Sequence, residues 1–143
     1  MAGAQSSSIS VKEADFMVLH AEGLSQIAPG YDGILCDVWG VLHNGMQAWP
    51  GAIDALQQFR RVGGAVVMIT NAPRPNGPVV DQLDDLGIPR DICDAVVTSG
   101  DVTRGLISNV GGPIFHLGPE RDQILYEGLD VKLTAEGEAG AVV

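Results

Sequence analysis

Residues 33–45 read Gly-Ile-Leu-Cys-Asp-Val-Trp-Gly-Val-Leu-His-Asn-Gly. Ile34, Leu35 and Cys36 form a short apolar run suited to a buried strand covered on both faces, and Asp37 follows it directly. Gly40 and Gly45 permit tight backbone turns just beyond the carboxylate. In parallel α/β sheets ligands sit outside the carboxyl ends of the strands, so a carboxylate in this position faces a crevice rather than the core.

Downstream, Pro50 precedes Ala52, Ala55, Leu56, Phe59 and Val62, a helical apolar stripe that Gly63 and Gly64 stop. Ala65 to Ile69 is a second continuous apolar strand, and it ends on Thr70 and Asn71 as the first ends on Asp37. Asn76 is placed to cap a helix carrying Val79, Leu83 and Leu86, closed by Gly87. Ala95 to Val97 reads as a third short strand. Strand, helix, strand, helix, strand with short connections predicts a right-handed, parallel, Rossmann-like α/β sheet with Asp37 and Thr70 on adjacent strands at one edge. Their side chains are then within reach of one phosphate-sized ligand.

Further on, Asp101 to Asn109 predicts a weaker helix ended by Gly111 and Gly112, followed by the apolar Ile114, Phe115 and Leu117. Pro119 is placed to start a helix through Tyr126 that Gly128 ends, and Ala139 to Val143 reads as another apolar strand. Upstream, Val11 to Ile27 carries Ala14, Met17, Val18, Ala21 and Leu24 at helical spacing, ended by Pro29 and Gly30. Residues 1–10 are small and polar and read as a disordered leader. The apolar finish at Ala141, Val142 and Val143 leads us to expect an N-terminal fragment of a longer protein.

The 143 residues carry a formal charge of -10 with only 8 Lys plus Arg, which speaks against a nucleic-acid or anionic-membrane surface, since both require clustered cations. An anionic substrate must then be met by a metal ion or backbone amides. There is no apolar run of about 18 residues and no signal-peptide pattern, so a cytoplasmic location is expected. Cys36 and Cys93 are expected on strands separated by a third, about 9.6 Å apart, beyond the roughly 7 Å a disulfide spans.

The paired strand ends resemble the haloacid dehalogenase (HAD) superfamily of phosphohydrolases, in particular class IIA, the NagD-like phosphatase type with a large α/β cap. The first motif of that family, Asp-x-Asp-Gly-(Thr/Val)-(Leu/Ile), is similar to Asp37, Gly40, Val41 and Leu42, with Gly45 downstream. The second ends an apolar strand on Thr or Ser followed by Asn, as Ile69, Thr70 and Asn71 do here, with Ala72, Pro73, Arg74 and Pro75 beyond. The resemblance implies that Asp37 is the nucleophile that forms an aspartyl-phosphate and that its other oxygen binds Mg²⁺ together with the backbone carbonyl of Trp39. It also implies that Thr70 holds a phosphoryl oxygen and that Asn71 positions the loop or substrate. Arg74 is a weaker candidate contact for an anionic substrate. A carboxylate attacks a phosphoryl group only where charge is screened, which is the chemistry a divalent cation supplies.

Trp39 is the departure that matters most. The family places a second Asp two residues beyond the nucleophile, as general acid and then base, and indole cannot transfer protons in that way. An Asp-Val-Trp-Gly form of the first motif resembles a bacterial branch of class IIA. His43, four residues on in the same loop, is a speculative substitute. The third motif of the family, a Lys, and the fourth, an acidic pair, have no match; the only lysines are Lys12 and Lys132. By resemblance, residues 11–99 are the N-terminal part of an incomplete HAD-like core and 100–143 the first part of a cap that selects substrate.

Other polar groups read as structural. Asp84 and Asp85 lie near a helix C-terminus as a solvated face, and Glu120, Arg121 and Asp122 occupy the first turn of a helix. His20 and His116 lack metal-ligand spacing, and residues 100–112 lack a dinucleotide-loop spacing. Trp49 packs over the mouth of the crevice. The expected function is a Mg²⁺-dependent phosphatase acting on a small phosphorylated metabolite, such as a sugar phosphate or nucleotide, and inactive as these 143 residues alone. The alternative is a catalytically silent HAD-fold domain that binds a phosphorylated ligand or a protein partner. Exposed strand edges allow a homo-oligomer.

Overall fold

The computed structural model describes residues 20–143. The leader at 1–10 and most of the helix expected over Val11–Ile27 lie outside the described residues. Within them, the end of that segment forms 3-10 turns at Leu24–Gln26 and Ala28–Gly30 in place of an α-helix, and His20 lies outside both. Gly23 is fully extended, so no helix continues through it.

Strands β1 (Gly33–Asp37), β2 (Ala65–Thr70) and β3 (Ala95–Thr98) are parallel, in the order β1-β2-β3. Helix α1 (Pro50–Arg61) joins the first pair and α2 (Asn76–Asp85) the second. Pro50 supplies a fixed φ where no intrahelical N–H is needed, and Gly63 takes a positive φ of 95° just past the end of α1. Right-handed crossovers set both helices on one face of the sheet. There Cys36, Val66 and Met68 pack with Leu56 and Phe59 of α1, Leu83 of α2, and Ile88 and Ile92 of the following loop.

The other face corrects the expectation of a first strand covered on both sides. Leu35 is 75% exposed, and Ile69 and Val97 on the neighbouring strands are exposed beside it. A continuous apolar run gave no sign of this, because each residue type suits burial on either face. Only the placement of α1 and α2 decides which face is covered among the described residues.

Asp94 secures the start of β2 from outside the sheet. Its Oδ2 accepts the Val66 N–H at 2.8 Å and pairs with Arg60 of α1, and both contacts hold its carboxyl below the usual carboxylate range. A depressed folded pKa contributes stability above the unfolded value of about 3.9, lost as pH falls through the folded value. We therefore expect the loss of melting temperature below about pH 4 to be shallower in Asp94→Asn than in the parent, as read by circular dichroism across pH.

Helix α3 (Ser99–Val110) leaves β3 directly and leads to a second parallel sheet, with β4 (Pro113–Phe115) between β5 (Lys132–Leu133) and β6 (Ala141–Val142). Ile107 of α3 joins Ile114, Leu125 and Tyr126 in a separate apolar cluster. The segment expected as a helix from Pro119 is a 3-10 helix, Glu120–Tyr126. Arg104 of α3 donates to the carbonyls of Leu125 and Glu127, both at 2.8 Å, so the end of the 3-10 helix is satisfied from a neighbouring element. His116 donates through Nε2 to the Pro119 carbonyl and accepts the Tyr126 hydroxyl at Nδ1, a structural role as expected. Both cysteines are free, and burial raises both thiols. No helix among the described residues is long and apolar enough to cross a membrane.

Candidate active site

Asp37 is exposed at the carboxyl end of β1. Its Oδ1 accepts the Val38 N–H at 2.7 Å, and its Oδ2 has no hydrogen-bond partner among the described residues. The following loop is anchored by buried Val38 and Leu42, with the Leu42 N–H donating to the Val38 carbonyl at 2.9 Å. Gly40 and Gly45 have φ of 82° and 87°, a region that a side chain disfavours, so the expected turns require glycine. The Trp39 indole is 64% exposed. Its Nε1 lies 3.6 Å from where a Cβ on Gly45 would stand, so the ring lies beside the 43–45 turn. Among the described residues no N–H is donated to the Trp39 carbonyl, which leaves that oxygen available.

His43 sits differently from a loop histidine open to the crevice. It is 3% exposed, and its Nδ1 accepts the Gly45 N–H at 2.9 Å, which puts the proton of the neutral ring on Nε2. Burial lowers its pKa. A proton on Nδ1 would displace the Gly45 N–H, so the loop gains stability above the unfolded value of about 6.5 and loses it as pH falls through the folded value. Amide exchange at Gly45 is expected to quicken over that acid window in the parent, and His43→Gln should remove the pH dependence.

Register pairs Asp37 with Ile69, so Thr70 lies one residue further along the adjacent strand, with a Cα separation of about 6 Å from the strand spacing and rise. Alternation turns Thr70 toward the helix-covered face and Asp37 toward the open face, and the shared sheet edge is what brings them together. Thr70 is buried, and its Oγ1 accepts the Ala72 N–H at 3.3 Å, leaving the hydroxyl hydrogen free to donate. Asn71 is exposed at the same edge. Arg74, the weaker candidate for a substrate contact, donates from Nη2 to Gln82 of α2 at 3.3 Å. Asn76 is the first residue of α2 and does not cap it; the Asp101 carboxylate of α3 accepts its N–H at 3.1 Å.

The third strand runs one residue beyond the apolar Ala95–Val97, to Thr98, a candidate that apolar patterning alone does not mark. Thr98 completes β3 level with Thr70 and is buried beneath the 72–75 loop. The available signal was a repetition: each of the three parallel strands ends on a polar side chain, Asp37, Thr70 or Thr98. Asp84 pairs with Arg90 at the surface, in keeping with a solvated face, and no cluster of three metal-ligating His, Cys, Asp or Glu occurs among the described residues.

The sequence pattern of the haloacid dehalogenase-like hydrolases matches residues 34–132. The chain belongs to that family. No match was found among curated proteins. A haloacid dehalogenase-like hydrolase from Brucella suis is 48% identical with a TM-score of 0.80, over 87% of this chain and 48% of that one. This HAD-family chain thus spans about half the length of the Brucella protein. The glycerol phosphate phosphatase of Mycobacterium tuberculosis, solved in complex with magnesium, is 26% identical with a TM-score of 0.61, over 81% of this chain and 36% of that one. NagD from Escherichia coli shares the fold at a TM-score of 0.55 and 24% identity, over 78% of this chain and 45% of that one.

Proposed function

We propose that these residues carry the nucleophile-bearing half of a Mg²⁺-dependent phosphatase for a small phosphorylated metabolite, such as a sugar phosphate or nucleotide. The observation that carries this reading is the Asp37 carboxylate, with Oδ2 unengaged, one strand from a Thr70 hydroxyl whose hydrogen is free. In this proposal Asp37 Oδ2 attacks phosphorus, the bond to the leaving oxygen breaks, and water later hydrolyses the aspartyl-phosphate to phosphate. Thr70 donates to a phosphoryl oxygen, with Asn71 beside it on the substrate side.

Asp37 and the free Trp39 carbonyl suit Mg²⁺, which takes one or two carboxylates and fills its remaining positions with water and substrate phosphate. The cation supplies charge screening between carboxylate and phosphoryl group when bound. The glycerol phosphate phosphatase solved with magnesium supports that choice.

We further infer that residues 11–99 belong to the core and 100–143 to the substrate-selecting cap, a division supported by the two separate apolar clusters. The open face at Leu35, Ile69 and Val97 is the surface that the rest of a longer core would cover. Two free thiols suit a cytoplasmic setting. The test is phosphate release by a chimera of these 143 residues with the C-terminal half of the Brucella hydrolase, alongside the 143-residue chain alone. Release by the chimera that depends on Asp37 supports the proposal, whereas normal turnover by the short chain contradicts it. Trp39 favours the second reading, a silent domain that binds a phosphorylated ligand.

A further inference from the structure

We propose that Thr98 and Gly100 are positioning residues that set the main-chain geometry of the turn from Thr70 to Pro75. The inference rests on the proposed role of Thr70 and Asn71 in holding a phosphoryl group, and it extends the site to a third strand.

Pro73 and Pro75 remove two of the amide donors of that loop and press Ala72 and Arg74 toward extended backbone. A segment of this kind has little means of fixing itself. Both carbonyls that flank Pro73 are instead held by the β3–α3 junction. Thr98 is 1% exposed, and its hydroxyl donates to the Arg74 carbonyl at 2.6 Å. The Gly100 N–H donates to the Ala72 carbonyl at 3.1 Å. Thr98 Oγ1 also accepts the Asp101 N–H at 2.9 Å, and the Asp101 carboxylate accepts the Asn76 N–H, so loop and helix start form one closed set of bonds.

Gly100 admits no side chain. A Cβ there would stand 2.2 Å from the Arg74 carbonyl oxygen and 2.6 Å from the Arg74 nitrogen, so the loop backbone would have to move. Gly100 lies in the first turn of α3, where Gly→Ala ordinarily favours a helix. Glycine at this position therefore follows from the close approach of the loop. The free hydroxyl hydrogen of Thr70 and the exposed Asn71 side chain are presented by a backbone that α3 clamps two to four residues further on.

The test compares Thr98→Val, which keeps the shape and loses the hydroxyl, with Thr98→Ser, which keeps the hydroxyl, in the 143-residue chain. Backbone amide NMR at Thr70, Asn71 and Ala72 is the first reading, and titration with inorganic phosphate in the presence of Mg²⁺ is the second. Thr98→Val should move the Thr70 and Asn71 signals and weaken phosphate binding roughly tenfold, the scale on which a displaced Thr70 hydroxyl loses its hydrogen bond to a phosphoryl oxygen. Thr98→Ser should restore both. Unchanged Thr70 and Asn71 signals in Thr98→Val, or unchanged phosphate affinity, overturn the inference.

If the parent itself binds no phosphate, the phosphoryl-holding reading fails, and the amide signals alone decide: movement in Val reversed in Ser supports the positioning role, and its absence overturns it. If Thr98→Val does not fold, Gly100→Ala is judged on the same signals.

Discussion

Asp37→Asn, introduced into the chimera with the Brucella C-terminal half, is expected to lower phosphate release by about 10⁴-fold or more, the scale on which loss of a catalytic nucleophile falls. Asparagine has nearly the same shape, and its Oδ1 can still accept the Val38 N–H that engages the carboxylate. The side chain is exposed, so no packing is lost and the melting temperature should hold close to that of the parent. What is removed is the negative charge and the electron pair on Oδ2 that would form the bond to phosphorus. Turnover with a saturating phosphomonoester in Mg²⁺, measured beside the unfolding transition, separates chemistry from folding. Turnover equal to that of the parent would remove Asp37 from the nucleophile role, whereas a parent chimera without turnover would favour the silent-domain reading.

The parts of the fold legible in the sequence are those that depend on local pattern. Apolar runs ending on Asp37 and on Thr70 mark the positions of β1 and β2, and the stripe from Ala52 to Phe59 marks α1, because periodicity and helix stops act within a few residues. What escaped was set by contacts distant along the chain. Thr98 holds the Arg74 carbonyl across 24 residues, and Asp101 takes over the capping expected of Asn76 across 25. The exposure of Leu35 follows from both crossovers lying on one face, a property of the assembled sheet.

Within the site, the strand-end placement of Asp37 and Thr70 was readable, and the side-chain commitments were not. Arg74 looked free in a loop until the approach of α2 gave it Gln82. His43 looked available until its loop closed over it.

Trp39→Asp carries the second large effect, and its direction is a gain. In the same chimera it should raise turnover on alkyl phosphates by about 10² to 10⁴-fold, the contribution of a positioned general acid and base. The position tolerates the change because the indole is mostly solvent-exposed and rests against a glycine turn rather than inside the core. The gain should be greatest for alkyl leaving groups, whose oxygen needs a proton as it departs, and small for aryl phosphates, which leave well as anions. A gain of equal size on both substrates would assign Trp39 a steric role instead. Trapping with a beryllium or aluminium fluoride and Mg²⁺ then distinguishes the two readings of this family member. An Asp37 competent to form an acyl phosphate captures the fluoride in parent and variant alike, because capture precedes any proton transfer to a leaving group. Failure in both would leave a HAD fold whose strand ends bind without reacting, with Trp39 as part of the recognition surface.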